Sequence, residues 1–223
     1  MKDIKLCIFD MDGLLIDSER FVWSKGEKLV GKQLGVEITD DFISTIIGVS
    51  HSRCIKMLKD EFGDDFDGEL FMKKIVEHYE NYCRNNIIPL RPGALELLQF
   101  LKKNNILISL GTSTEKELAY IALGKNDILK YFDFTVCGDE VTNGKPDPEI
   151  FLKSVNHFYL KPEECIVFED SQSGAKAAYD GKINLILVPD VKQASDLDKE
   201  KAFAIIDSLE KAIPIIKNIN KIN

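Results

Sequence analysis

The sequence predicts an α/β fold, a Rossmann-like parallel sheet core with helices on both faces and an inserted α-helical cap domain. Three observations predict it. Short apolar runs at 6–9, 106–110 and 165–168 lack the alternation of a half-exposed strand, as strands of a parallel sheet covered on both faces do. From Pro89 onward such runs alternate with segments of helical period, the texture of βαβ units joined by right-handed crossovers. Between residues 18 and 86 no strand pattern appears. The expected division is an α/β core of 1–16 and 89–223 carrying a helical cap of 17–88.

The elements follow in order. The first strand, 6–9, ends on Asp10-Met11-Asp12-Gly13, and the glycine allows a tight turn. Phe21, Val22, Leu29, Val30 and Leu34 fall at helical spacing, weakened by Gly26 and Gly31. Thr39-Asp40-Asp41 can cap a second helix through Ile47. Gly48-Val49-Ser50 reads as a turn, and 52–62 and 68–85 as further helices. Pro92-Gly93 opens a helix with Ala94, Leu97, Leu98 and Leu101 on one face. Strands at 106–110, 134–137, 165–168 and 185–188 then alternate with helices at 115–125, 148–158 and 173–180. A short strand at 204–206 precedes a C-terminal helix.

Composition narrows the function. The 223 residues suffice for one good core and a small second domain. A net charge of -8 argues against a general nucleic-acid binder, and no apolar run approaches the roughly 18 residues of a membrane span. It also leaves any anionic substrate dependent on local cations and backbone N–H groups. The first residues run straight into a strand, so no signal peptide is expected. Five scattered cysteines without metal-ligand spacing suit reduced thiols in the cytoplasm.

The chemistry-bearing residues fall at the strand ends, where open α/β sheets bind ligands. Asp10 and Asp12 crowd the end of the first strand, so they need a cation or a shared proton, and hard oxygen ligands suit Mg²⁺. Gly111-Thr112-Ser113-Thr114 follows the second strand and reads either as an anion cradle or as a plain helix cap. In Gly144-Lys145-Pro146-Asp147-Pro148, Pro146 keeps Lys145 out of the helical region, while Pro148 suits a first helical position with Asp147 as cap. Lys145 is thereby held where a point charge can neutralise phosphate. Finally 165–168 runs into Glu169-Asp170, two acids at the mouth of another strand, followed by capping residues and Gly174.

Taken together, Asp10-x-Asp12, Thr112, Lys145 and Glu169-Asp170, in this order, resemble the haloacid dehalogenase superfamily over essentially the whole chain. The cap position resembles the subfamily of small-molecule phosphatases and β-phosphoglucomutase. The resemblance implies Asp10 as nucleophile, forming an aspartyl-phosphate, and Asp12 as general acid and then base. It implies Mg²⁺ held by Asp10, Glu169 and Asp170 together with the Asp12 backbone carbonyl, Glu169 directly or through water. Thr112, the Ser113 N–H and Lys145 would grip the phosphoryl oxygens. Cap contacts to substrate would come from Arg20, Gly48, Val49, His51 and Arg53, with His51 equally readable as a surface residue and Trp23 read as packing. The expected activity is Mg²⁺-dependent hydrolysis of a small phosphorylated metabolite, a sugar or sugar-alcohol phosphate, by a monomer with no nucleic-acid or membrane partner. A β-phosphoglucomutase-like isomerase is the alternative, against which stands the lack of a histidine near Val22. A non-catalytic phosphate-binding protein of the same fold is a further alternative, against which stand the nucleophile and the acid pair.

Overall fold

The computed structural model describes residues 2–46, 49, 51–190 and 193–222, the side chain of His51 excepted. The first strand, β1 (Leu6–Phe9), is buried at every position, which is why its sequence is uniformly apolar. A π-helical turn, Glu19–Trp23, runs into α1 (Ser24–Gln33), followed by α2 (Asp40–Ile46), α3 (His51–Phe62) and α4 (Gly68–Asn85). From Pro89 the chain builds α5 (Ala94–Lys103), β2 (Leu107–Gly111), α6 (Lys116–Lys125), β3 (Phe134–Val136) and α7 (Glu149–His157). It closes with β4 (Cys165–Glu169), α8 (Gln172–Asp180), β5 (Asn184–Leu187), α9 (Asp196–Lys201), β6 (Ala204–Ile205) and α10 (Ala212–Asn220). Residues up to Asp17 with those from Pro89 form one compact unit, and Ser18–Ile88 a second.

Among the described residues, six strands make one parallel sheet in the order β3-β2-β1-β4-β5-β6, with helices on both sides. The chain winds outward from β1 through β2 to β3, then returns to lay β4 on the other flank of β1. The winding direction therefore reverses between β1 and β4, and the crevice at their carboxyl ends is where such sheets bind ligands. Phe9 and Phe168, paired in register, stack with ring centroids 4.6 Å apart, a contact worth about 0.5–1.5 kcal/mol beyond its buried area. They fix the two strand ends immediately before the acidic residues. On one face, Leu6, Ile8, Cys165 and Val167 join Ile150, Phe151 and Val155 of α7 and Ala175 and Ala178 of α8 in a continuous core.

The chain leaves and re-enters the first unit through paired backbone. Ile16 bridges Leu90 in antiparallel fashion, Asp17 N–H donates to Pro89 at 2.9 Å, and Arg91 N–H donates to Leu15 at 2.9 Å. The Arg91 guanidinium lies 2.9 Å from the buried Asp190 carboxylate and 3.9 Å from Asp17.

Within Ser18–Ile88, Val30, Ile38, Ile43, Ile46, Cys54, Leu58, Phe66, Phe71 and Ile75 make a separate core. Here the sequence expectation needs correcting. The π turn adds a residue to the helical cycle, so the buried face of the first helix passes through Val22, Gly26, Glu27, Val30 and Gly31, while Leu29 is exposed. Helix α2 ends within the described residues at Ile46, and Thr39 Oγ1 accepts from Phe42 N–H at 3.2 Å as the expected cap. Ile47 and the expected turn at Gly48 and Ser50 lie outside the described residues. In the other unit, α7 begins at Glu149, with Pro148 in front of it, not at its first position. Helix α9 was not expected: its six residues carry a single apolar side chain, Leu197, and so show no apolar period, and a Ser195–Asp198 capping box starts it. Among the described residues no helix is long and apolar enough to cross a membrane.

Burying Glu27 has a pH signature. Desolvation pushes its carboxyl from 4.5 up to about 7. The folded state thus holds a proton that the unfolded chain releases, so its contribution to stability is complete below about 4.5 and lost as pH rises through about 7. Relative to wild type, Glu27→Gln should gain on the order of 2 kcal/mol, or about 5 °C in Tm, between pH 5 and pH 8. Parallel melting curves at the two pH values check this, and a constant offset would refute it.

Candidate active site

The site is built at the carboxyl ends of β1 and β4. Asp10 follows Phe9 directly, and its N–H donates to the Phe168 carbonyl at 3.1 Å, so the sheet ladder still holds its backbone. Glu169 is the last residue of β4, and its carbonyl accepts from Val188 at 2.7 Å. Two acids are therefore aimed from paired strands at the middle of the sheet.

Between them sits Lys145. Its ammonium donates to Asp10 Oδ1 at 2.5 Å and to Glu169 Oε1 at 2.7 Å, and its side chain is only 5% exposed. It also lies over the Phe151 ring, 4.9 Å from the centroid. Burial opposes the charge on Lys145, but the Asp10 and Glu169 carboxylates outweigh it and hold the ammonium well above its ordinary pKa. Burial raises the Asp10 carboxyl, Glu169 and Asp12 raise it further, and Lys145 counters them only in part. The loop carrying Lys145 is clamped: the Glu149 carboxylate accepts from Thr142 N–H at 3.0 Å and Asn143 N–H at 2.9 Å. Those backbone donors and Lys153 hold the Glu149 carboxyl down at about 2. Asp147 Oδ1 accepts from Glu149 N–H at 2.9 Å, which sets the start of α7.

Glu169 Oε2 is fully engaged, accepting from Asp170 N–H at 2.9 Å, Ser171 N–H at 2.8 Å and Ser171 Oγ at 2.9 Å. Ser171 in turn caps α8 through Gly174 N–H at 3.1 Å. Gly174 must be glycine, because a Cβ there would lie 1.7 Å from Glu169 Oε1. Gly13 answers a double requirement: its φ is +80°, and a Cβ would lie 2.3 Å from Asp170 Oδ2. The turn after β1 and the carboxylate after β4 are thus in contact.

One oxygen each of Asp10, Glu169 and Asp170 can be chosen so that all lie within 4.8 Å of one another. Three carboxylates against the one ammonium of Lys145 leave a net charge of -2 when all are ionised. The donor set is all hard oxygen, so charge and chemistry together fit a divalent cation. The side chain of Asp12 is not in this group; its Oδ2 accepts from Thr114 Oγ1 at 2.7 Å. That leaves the two aspartates of the motif in different surroundings.

Thr112 is buried, and its Oγ1 accepts from Thr114 N–H at 3.1 Å. Helix α6 starts at Lys116, four residues later, so the cap reading of Thr112 does not hold. Ser113 is exposed, and its carbonyl is approached so closely by Gly138 that a Cβ there would sit 2.1 Å away. In the helical unit, Arg20 and Arg53 are exposed, and Val49 lines a pocket with Trp23. Gly48 and the side chain of His51 lie outside the described residues. Thr114 and Ser171 escaped the sequence reading as site residues, although both lay inside stretches it singled out.

Comparison with known proteins gives the family of the chain. The sequence profile of haloacid dehalogenase-like hydrolases matches residues 7–188. The "Phosphorylated carbohydrates phosphatase" of Thermotoga maritima is 33% identical over 95% of this chain and 98% of its own length. A mitochondrial (DL)-glycerol-3-phosphatase of Arabidopsis thaliana is 33% identical over 86% of this chain and 65% of its own. The crystal structure of a β-phosphoglucomutase from Clostridium difficile aligns with a TM-score of 0.72 over 99% of this chain and all of that one, at 23% identity, which shows the fold. The chain belongs to the haloacid dehalogenase-like hydrolases and is a phosphoric monoester hydrolase.

Gly13→Ala tests the contact between turn and carboxylate. The new methyl should displace Asp170, weakening activation by divalent cation about tenfold or more, and the strained backbone should cost roughly 1–2 kcal/mol. Titrating activity with the cation measures the first effect, and an unchanged titration would show that Asp170 is placed by something else.

Proposed function

We propose that the chain is a Mg²⁺-dependent phosphatase of a phosphorylated sugar or sugar alcohol, working through an aspartyl-phosphate on Asp10. The observation that carries this reading is the buried Lys145 between Asp10 and Glu169, with Asp170 completing a net negative cluster at the sheet's switch point. The sugar class is supported by the name of the Thermotoga maritima relative.

Mg²⁺ held by Asp10, Glu169, Asp170 and the Asp12 backbone carbonyl would neutralise the negative charge that the phosphate adds. A carboxylate of Asp10 attacks phosphorus, and the bond to the leaving alkoxide breaks. Asp12 gives that alkoxide its proton, then takes one from the water that attacks the aspartyl-phosphate and releases inorganic phosphate. Lys145, the Thr112 hydroxyl and the Ser113 N–H stabilise the equatorial oxygens as charge spreads over them. The different settings of the two aspartates support this split, since only Asp12 lies outside the acid cluster and bonds to a neutral hydroxyl. The five buried thiols fit a reducing cytoplasm.

Asp10→Asn should lower kcat by at least about 10⁴-fold with little loss of stability, since the amide cannot act as the nucleophile. Phosphate release from a panel of sugar and sugar-alcohol phosphates, with Mg²⁺ and with EDTA, gives the baseline. Near wild-type turnover by the variant would remove Asp10 from its role. Isomerisation of β-glucose 1-phosphate without net phosphate release would replace hydrolase by mutase.

A further inference from the structure

Thr114 ties together two loops of the site. Its Oγ1 donates to Asp12 Oδ2 at 2.7 Å, the length of a hydroxyl–carboxylate hydrogen bond. The two residues come from neighbouring strands. Asp12 lies just beyond Phe9 of β1 and Thr114 just beyond Gly111 of β2, and Phe9 pairs in register with Leu110. The backbone of Thr114 is held from both sides: its N–H donates to Thr112 Oγ1 at 3.1 Å, and its carbonyl accepts from Gly138 N–H at 3.0 Å. Lys116 N–H anchors the same loop to the same turn, donating to Asp139 Oδ1 at 2.9 Å.

The local fold does not call for the hydroxyl. Helix α6 begins at Lys116 with Glu115 as its cap residue, and no side chain caps it. The loop is fixed by backbone groups of Thr114, which would survive loss of the hydroxyl. A β-branched side chain has a stiff χ1, so the fixed backbone fixes the hydroxyl as well. A hydroxyl also carries a single proton. Given to Asp12, that proton is not available to a phosphoryl oxygen, which sets Thr114 apart from Thr112, Ser113 and Lys145.

A carboxyl that gives a proton and later takes one must keep one orientation in two protonation states. When Oδ1 carries the proton, Oδ2 is a carbonyl oxygen and accepts from Thr114. When the proton has gone, Oδ2 accepts the same bond. A neutral donor permits this, whereas an ammonium in its place would favour the ionised carboxyl alone. We propose that Thr114 is a positioning residue for the proton transfers of Asp12, holding Oδ2 so that Oδ1 meets first the leaving oxygen and then the attacking water. The proposal rests on the acid–base role given to Asp12 above. In the first half-reaction the Oδ1–H bond breaks with the P–O bond of the ester, and the proton passes to the departing alkoxide. In the second, water loses a proton to Oδ1 as its oxygen bonds to phosphorus and the bond from phosphorus to Asp10 breaks. Thr114 keeps its own proton throughout and supplies orientation.

Leaving groups separate this role from a purely structural one. The alkoxide of a sugar or sugar-alcohol phosphate needs a proton to depart, whereas p-nitrophenyl phosphate releases a stable phenolate. With Mg²⁺ present, Thr114→Val keeps the shape and removes the hydroxyl. It should lower kcat/KM at least about tenfold for the alkyl ester and less than about threefold for the aryl ester. Inhibition by inorganic phosphate should stay within about threefold, and Thr114→Ser should bring the alkyl ester back to within about threefold of wild type. In an Asp12→Asn background, Thr114→Val should cost less than about twofold more, since a residue acting through Asp12 has nothing left to orient. Equal losses on the two esters overturn the proposal, and so does an undiminished further loss in the double variant. A phosphate inhibition constant that rises as far as kcat/KM falls overturns it too, making Thr114 a phosphate ligand. Thr114→Ala carries the same comparisons if the valine form does not fold. Phosphate release from neither ester by the wild type sinks the phosphatase reading and the proposal together. Leaving-group discrimination in Asp12→Asn without it in Thr114→Val sinks the proposal alone.

Discussion

The structure depends on how one ammonium group shares itself among buried acids. Lys145 bonds to Asp10 and Glu169 with its side chain almost wholly removed from water. Removing Lys145 would leave two buried carboxylates without a counter-charge, which typically costs several kcal/mol. The fold meets this demand with fixed geometry. Phe9 stacked on Phe168 aligns the strand ends, Glu149 clamps the loop of Lys145, and Ser171 with two backbone N–H groups saturates the far oxygen of Glu169. Preorganised donors of this kind need not reorient when a phosphate arrives, and that is what makes them effective.

Much of the α/β unit was legible in the sequence because parallel strands buried on both faces must be apolar throughout. The run at 6–9 is short and closed by an acidic turn, as such a strand is, and its boundaries in the structure are Leu6–Phe9. Strand β2 is displaced by one residue, to Leu107–Gly111, because Gly111 pairs with Val136 of β3, a partner the local pattern does not show. Short α9 was illegible because a capping box and polar residues make it, not an apolar stripe.

At the candidate site, the acids and the lysine could be named from their positions after apolar runs, yet their division of labour could not. Nothing in the spacing of Asp10 and Asp12 says that one faces Lys145 and the other Thr114, since those partners lie more than a hundred residues away. In the helical unit the failure has a single cause. Counting at 3.6 residues per turn from Phe21 puts Leu29 inside, whereas the five-residue π turn rotates the following helix and puts Glu27 there instead. Trp23, read as packing, does stack on Tyr79, but it also forms a wall of the pocket with Glu27.

The paired backbone at Ile16 and Leu90 has a consequence for how such a chain can vary. The sheet unit closes on itself where the chain leaves and returns, through hydrogen bonds at Asp17 and Arg91 that involve no residue of Ser18–Ile88. Loop-closure entropy grows only slowly with length, so a longer, shorter or wholly different insert could occupy the same socket with little effect on the sheet. The acids at the strand ends are therefore held by the sheet and its own closure, whatever length of chain runs between Asp17 and Pro89.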